Sequence, residues 1–543
     1  MNLFAKRAIV AHRGWVGPNW RDFRKERQPL VLCLALAIGL GAGIAAIGFR
    51  ELIGLAQWFW LGSRSEQTLT AAAGMPWWVI VSGPVVGGLV VGLLLQRISV
   101  RRAGGVADVI EARAFTGRKL GMADGLWSAL VSAISVGSGA SAGREGPIVH
   151  LGATLGGVIA RRAALPEWCR RTLLSAGVAS AVAASFNAPF AGVLFAHEVV
   201  LGHYALRSFV PIMIASTAGS VLSRLWFGPD ASFSVPAYAV ASYWEFPAFV
   251  LLGLVSAVVA ILFQFALFIA DFAARRVEIP LWTRPVAGGV LVGAIGVFFP
   301  HILGVGYELT DLALSEQLPL ALVLSLIVLK TVATAISLAA RFGGGVFAPA
   351  MVVGALTGSA FGMIASSLFP DMASSGGLYA MLGMGAVAGA VFGAPISTAM
   401  IVFELTGGYA LAIALLLTVA VAQGVIQAVH GHSWFQWQLR LRGLDVREGP
   451  HKPLGASVRV MDFMEPLAAG GEPLAYDPER NGTALKPTDT LDAALRALDT
   501  GGHERLPVVD PSDTTRIIAW VSLVAALRHF NQALVQTSVE EHR

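Results

Sequence analysis

Gly143-Arg-Glu-Gly-Pro-Ile-Val-His-Leu-Gly-Ala-Thr-Leu-Gly156 returns in the second half of the chain as Gly345-Val-Phe-Ala-Pro-Ala-Met-Val-Val-Gly-Ala-Leu-Thr-Gly358. Both copies obey G-x-x-x-P-x-x-x-x-G-A-x-x-G. A second pair follows at a similar offset: Ala183-Ala-Ser-Phe-Asn-Ala-Pro-Phe190 running to Glu198, and Gly389-Ala-Val-Phe-Gly-Ala-Pro-Ile396 running to Glu404. Two matches in the same order indicate an internal duplication, which sets the architecture. The first copy adds an acid, Glu145, to an apolar, glycine-rich run, and an ionisable residue in such a run marks a functional site. The flanking glycines let backbone bend and approach a ligand, while Pro147 suits the first turn of a helix. A loop that delivers a helix N-terminus attracts anions through exposed N–H groups and the helix dipole. A carboxylate tethered there would plug the site when charged and swing aside when protonated; the alternative is a buried structural ion pair.

Composition places this site in a membrane. The 543 residues are 55% hydrophobic and 13% charged, with 61 glycines, and the mean hydropathy is +0.67. That balance excludes a soluble enzyme of ordinary make-up. Apolar stretches long enough to cross a bilayer recur from Leu30 to Val429, many broken by Gly or Pro. Broken helices at membrane depth line cavities or lie buried in protein, so they suggest a transport path. Cys33 and Cys169 are too few for a disulfide framework, a metal site or a redox pair, and no cofactor is implied. The first apolar run flows past Gly48 without a cleavage-like end, so no cleavable signal is expected.

Charge orients the halves. Residues 1–28 form a basic arm with Lys6, Arg7, Arg13, Arg21, Arg24, Lys25 and Arg27. The linker from Gly228 to Pro247 holds Asp230 and Glu245 but no Lys or Arg, and Arg440, Arg442, Arg447 and Lys452 follow the second half. The positive-inside rule then puts both termini in the cytoplasm and the linker outside. The net charge of +5 reads as topology and contact with anionic lipid rather than nucleic-acid binding. Each repeat, about 29–227 and 248–440, must cross the bilayer an odd number of times, so the copies lie inverted. Inverted repeats meet near the midplane, where broken helices aim their ends at the substrate. Gly343, Gly344 and Gly345, with the amides of Val346 and Phe347, are the expected coordinating backbone.

At these residues the chain resembles the CLC family of chloride channels and chloride/proton antiporters. The likeness rests on Gly143-Arg-Glu-Gly-Pro147, on Phe186-Asn-Ala-Pro189 with the Phe-Ala-His-Glu198 helix after it, and on Gly345-Val-Phe-Ala-Pro349; it covers about residues 30–440. The resemblance implies an all-α polytopic membrane protein with tilted and partial helices, and a homodimer with one anion pore per subunit. By motif position Glu145 would be the gate. Gly143, Arg144, Gly146, Gly345, Val346 and Phe347 would surround the anion. The family's first anion-binding motif falls on Ala103-Gly-Gly-Val-Ala107, so Gly104, next to Gly105, replaces a serine hydroxyl, and the family's tyrosine aligns with Phe435. The inner proton glutamate of the antiporters is Val199 here. These departures favour a gated passive chloride channel, with an antiporter or fluoride-type transporter of the same family as the alternative.

Other residues carry competing readings. His197 and His203 flank Glu198 at i and i+6, whereas a zinc-protease helix needs i and i+4. Glu198 and Glu404 read as helix-end carboxylates, either salt-bridged or capping a neighbouring loop. Arg144 either attracts anions or pairs with an acid. His150 reads as a satisfied core histidine; Lys330, Thr331 and Arg341 as helix-end or cavity-lining residues; and Trp58, Trp60, Trp77 and Trp78 as interface anchors. An intramembrane hydrolase using Glu145 with His150 or His197 would lack an oriented nucleophile. A cation-coupled carrier would show further intramembrane acids at the site.

Residues 441–543 read as a cytoplasmic tail with a small α/β unit. Thr490 to Leu498 is an N-capped amphipathic helix, Arg505 to Asp510 a strand and turn, and Ile517 to Ser522 a strand leading into a helix. This looks like one CBS motif over about 458–535, with Val460 to Met464 as lead-in. Ala519 and Ala525 stand where the nucleotide-binding version has Gly and Asp. A dimer-stabilising role is therefore expected rather than regulation by adenine nucleotide.

Overall fold

The computed structural model describes residues 19–21, 23–65, 67–115, 118–228, 233, 240–406, 411–444, 455, 458–467, 474–477, 483–501 and 504–542. Lys6, Arg7, Arg13, Asp230, Arg447 and Lys452, which bear on orientation, lie outside them. The chain divides into two compact units: residues 1–109 with 120–434, and residues 110–119 with 435–543.

The first unit is helical throughout. Its elements include α1 (Gln28–Leu61), α2 (Trp77–Leu94), α3 (Val106–Ala114, whose last residues belong to the second unit), α4 (Met122–Gly137), α5 (Glu145–Arg162), α6 (Glu167–Phe186), α7 (Pro189–Phe195) and α8 (Leu206–Phe227). After the linker come α9 (Phe246–Arg276), α10 (Arg284–Phe298), α11 (Tyr307–Leu314), α12 (Leu320–Ala339), α13 (Phe347–Leu368), α14 (Gly376–Phe392), α15 (Pro395–Thr406) and α16 (Ala412–Val429). Among the described residues, eight helices are long and apolar enough to cross a membrane. At about 1.5 Å per residue, the 34 residues of α1 are longer than a hydrocarbon core of about 30 Å, long enough to span it with a tilt. The span carrying α13 is 83% buried, against 33–50% for the others. That helix lies in the interior of the unit together with α14 and much of α5 and α6.

The repeated motifs explain the backbone. In both copies a proline sits within the first three residues of the new helix: Pro147 in α5, Pro349 in α13, Pro189 in α7 and Pro395 in α15. The residue before Ala-Pro ends the preceding helix in the left-handed region, Asn187 at φ 57° and Gly393 at φ 65°. The last two glycines of each pattern bring helix pairs into backbone contact. A Cβ on Gly152 would meet the Gly177 carbonyl at 2.4 Å, and one on Gly354 the Gly383 carbonyl at 2.5 Å. Gly156 against Leu173 and Gly358 against Tyr379 repeat the relation one turn on.

The repeats also cap each other. Glu198 accepts the amides of Ile396 (3.1 Å) and Ser397 (2.7 Å) at the start of α15. Glu404 accepts those of Phe190 (3.1 Å) and Ala191 (2.7 Å) at the start of α7. Of the two roles read from the sequence, salt bridge or cap, these bonds are capping ones, and each carboxylate serves the start of the other copy's helix. Glu198→Ala or Glu404→Ala should each cost about 1–2 kcal/mol, read as a lower unfolding midpoint in detergent, while Gln substitutions should cost less.

One anchor reading fails. Trp58, Trp77 and Trp78 are 47%, 66% and 59% exposed, but the ring of Trp60 lies against Gly83 and its Nε1 donates to the Gly137 carbonyl at 2.7 Å. The glycines open a slot that an indole fills, so Trp60 is a packing residue.

In the second unit, α17 (Trp434–Arg440) is followed by a sheet of β1 (Glu465–Pro466), β2 (Leu474–Ala475), β3 (Arg505–Val509) and β4 (Arg516–Ser522), with α18 (Leu491–Gly501) and α19 (Leu523–His542). β4 pairs antiparallel with the other three. Thr490 caps α18 by accepting the Ala493 amide at 3.1 Å, and Leu491, Leu498, Leu506, Val508 and Val521 form the core. Arg442 and Arg118 both pair with Glu111, at 2.9 and 3.1 Å. Phe435 is buried at the start of this unit.

Candidate functional site

Two unwound glycine segments meet inside the first unit. Gly143 and Gly345 exchange two backbone hydrogen bonds, each 2.7 Å, as an isolated antiparallel bridge. A side chain at either position would crowd this meeting point. A Cβ on Gly143 would lie 2.4 Å from Glu145 Oε2, and one on Gly345 only 3.0 Å from the Gly146 nitrogen. The bridge therefore sets the starts of α5 and α13 side by side, bringing together Gly143, Arg144, Glu145, Gly146, Gly345, Val346 and Phe347.

Glu145 is 2% exposed and spans the gap between the two copies. Its Oε2 accepts the Ala348 amide at 3.4 Å, and its Oε1 accepts the Tyr307 hydroxyl at 2.8 Å. The Glu145 carboxylate of the first repeat thus occupies the helix N-terminus of the second, where α13 has unmatched donors and the positive end of its dipole. Among the described residues the amides of Val346 and Phe347 donate to no protein acceptor. The Phe347 ring stacks on Phe392 at 4.5 Å and approaches Phe186 at 5.2 Å, the two phenylalanines of the duplicated Phe-x-Ala-Pro segments. Apolar walls around such donors exclude water and strengthen their pull on charge.

Arg144 is buried. One nitrogen donates to the Ser185 carbonyl at 2.9 Å, and its guanidinium carbon lies 4.7 Å from the centre of the Tyr307 ring. Tyr307, absent from the sequence-based site, is the residue that reading missed. Its signal was the pair of glycines before it, Gly304-Val-Gly306, both with positive φ (61° and 95°), which turn the chain so that α11 presents the phenol inward.

Other expectations change. The Gly104 amide donates to Ser128 Oγ at 3.0 Å and the Gly105 amide to Asp108 Oδ2 at 2.8 Å. Both donors are spent within the protein, so neither glycine offers its N–H to an anion. The space beside Gly104 belongs to His150, whose Nε2 would sit 2.5 Å from a Cβ there. His150 is not the satisfied histidine expected: its Nδ1 is buried with no hydrogen-bond partner among the described residues. Val199 is half-buried on the wide turn Ala196–Leu201. His197 Nδ1 contacts the His203 carbonyl at 2.9 Å, and no cluster of three or more His, Cys, Asp or Glu suited to a metal occurs among the described residues. Lys330 is fully buried in the middle of α12 rather than at its end and donates to the carbonyls of Ile302 and Gly304, both at 3.0 Å. Thr331 bonds within its own helix, and Arg341 lies 3.9 Å from Asp271.

Comparison with known proteins agrees with this architecture. The family pattern described as voltage gated chloride channel matches residues 87–427. A ClcB-like chloride channel protein of Ralstonia nicotianae is 32% identical over 392 residues, covering 71% of this chain and 91% of the relative. The voltage-gated ClC-type chloride channel ClcB of Escherichia coli is 28% identical over 412 residues, covering 75% and 97%. Among solved structures, a slow cyanobacterial Cl−/H+ antiporter superposes with a TM-score of 0.67 at 21% identity, covering 76% of this chain and 97% of the other. A CLC-type fluoride/proton antiporter gives 0.63 at 22%, covering 76% and 98%. A third, a eukaryotic CLC transporter, gives 0.65 at 18%, covering 93% and 89%. These three likenesses speak to the fold alone. With its pattern filled across most of the helical unit, and a relative matched along nearly its whole length, the chain belongs to the voltage-gated chloride channel, or CLC, family of anion transporters.

Proposed function

We propose that this chain is a gated, passive chloride channel in which Glu145 competes with chloride for the N-terminus of α13. One observation carries the reading: the Glu145 carboxylate bonds the Ala348 amide, so it stands where a mobile anion would be held. Protonation removes its charge, weakens its claim on the helix dipole and frees the site. Gly143, Gly146 and Gly345 provide close backbone approach, the amides of Val346 and Phe347 hold the anion, and buried Arg144 adds positive potential. Gly104, Gly105 and Phe435 contribute no side-chain hydroxyl, so main-chain dipoles carry the binding. This is transport without enzymatic chemistry and needs no cofactor.

Val199 supports the passive reading, because a valine cannot relay a proton from the inner side. The second reading is proton-coupled exchange of chloride or fluoride, favoured by fold neighbours that are antiporters. The reversal potential of reconstituted protein under opposed chloride and proton gradients separates them. It is expected to follow chloride alone; displacement by the proton gradient would establish coupling. Fluoride in place of chloride in the same vesicles tests selectivity. We further propose a homodimer in a bacterial inner membrane with cytoplasmic termini, and a CBS-like tail that stabilises the dimer without adenine nucleotide.

A further inference from the structure

We propose that Tyr307 is the latch that holds the Glu145 gate shut, and that Lys330 fixes the loop carrying the latch. The inference rests on the gate reading above and adds what sets the gate's closed position. Of the two donors from other segments that reach the carboxylate among the described residues, the Ala348 amide is long at 3.4 Å while the Tyr307 hydroxyl is close at 2.8 Å. A short bond to a charged acceptor is the stronger fastening, so of these two donors the phenol does more than the α13 terminus to hold the side chain across the site.

The latch is itself held. Tyr307 is the first residue of α11 and 9% exposed, with its ring edge-on to Phe233 at 5.7 Å and under the Arg144 guanidinium. The preceding loop runs through Gly304 and Gly306, both left-handed, and turns the Ile302 and Gly304 carbonyls into the protein. Lys330 satisfies both from α12, at zero exposure. A buried lysine nitrogen is tolerated only when its hydrogen bonds are made, so its position and that of the loop fix each other. A Cβ on Gly306 would stand 3.2 Å from Lys330 Nζ and 2.9 Å from Val352 of α13. Lysine, loop and pore helix are in contact, and Tyr307 emerges from that junction. Among the described residues, the charged or titratable side chains bearing on Glu145 are Arg144 from its own loop and Tyr307 from α11; Lys330 reaches the loop and not the carboxylate.

A donor that bonds the charged carboxylate favours the closed gate. Its removal should let the gate open at higher pH, and leave a gate that carries no charge unaffected. The test is chloride efflux from proteoliposomes as a function of pH for the parent protein, Tyr307→Phe, Lys330→Met, Lys330→Arg, Glu145→Gln and the double variant Glu145→Gln/Tyr307→Phe. Tyr307→Phe should move the midpoint of the pH profile up by about one unit, the scale of one charge-assisted hydrogen bond. Lys330→Met should move it in the same direction by less, and Lys330→Arg should restore it. In the Glu145→Gln background, Tyr307→Phe should change nothing. An unmoved midpoint in Tyr307→Phe would overturn the latch, as would an equal rise in flux with and without the glutamate, which would place the phenol on the anion path instead. Should Lys330→Met fail to fold, the tyrosine pair still decides. If Glu145→Gln itself kept the parent's pH profile, the gate reading would fail, an outcome separate from failure of the latch.

Discussion

Glu145→Gln should carry chloride at alkaline pH about as fast as the parent protein does at acid pH, with a flat pH profile between. Glutamine keeps the length and planar end of the side chain and is permanently neutral. It therefore resembles the protonated gate, which has no net charge to set against the dipole of α13. The sign follows from the competition. Protonating Glu145 frees the site, so flux in the parent rises as pH falls and is lost as pH rises through the range where the carboxyl ionises. Each factor of ten in the open population corresponds to about 1.4 kcal/mol, and the variant should exceed the parent at alkaline pH by roughly tenfold or more. Efflux from proteoliposomes at a series of pH values measures it. A variant that still closed on alkalinisation would show that another group closes the pore.

The second large effect is structural. Gly358→Ala should cost about 3 kcal/mol or more, and Gly358→Val should leave little folded protein. A Cβ there would lie 1.9 Å from the Tyr379 carbonyl and 2.6 Å from its carbon. The obstacle is backbone, which cannot turn aside as a rotamer can, so α13 and α14 would have to separate. Overpacking in a tight interior costs about 1–3 kcal/mol, and a main-chain obstacle puts this site at the upper end or beyond. By the duplication, Gly156 in α5 should behave alike, since its Cβ would lie 2.2 Å from the Leu173 carbonyl. The unfolding midpoint in detergent and the fraction eluting as a single species report the loss. By contrast Gly41, where an added Cβ would meet nothing within 4 Å, should tolerate alanine.

The duplicated pattern made most of this legible. Spacing alone placed Pro147 and Pro349 in the first turns of matching helices, and the structure joins those turns through Gly143 and Gly345. It also marked Glu198 and Glu404 as helix-end carboxylates, salt-bridged or capping, although nothing local said that each would cap the other repeat. The glycines at the ends of the pattern carried a packing meaning that sequence could not separate from flexibility, because both leave the same residue. Tyr307 was missed for a different reason. Its partner lies 162 residues away, and a lone tyrosine after two glycines has no periodicity to announce a long-range bond. Trp60 shows the same limit, since an indole beside a membrane helix reads as an anchor until a glycine on a distant helix makes room for it. At Gly104 the departing side chain was visible in the sequence, but not that His150 would fill its space.

The most direct test is the position of bromide, located by its anomalous scattering in crystals of Glu145→Gln and of the parent protein at alkaline pH. In the variant, bromide is expected at the start of α13, within reach of the Val346, Phe347 and Ala348 amides; in the parent, the carboxylate should hold the Ala348 position and exclude it. Bromide bound equally at that amide in both proteins, or absent from it in the variant, would contradict a gate that works by competing with the anion.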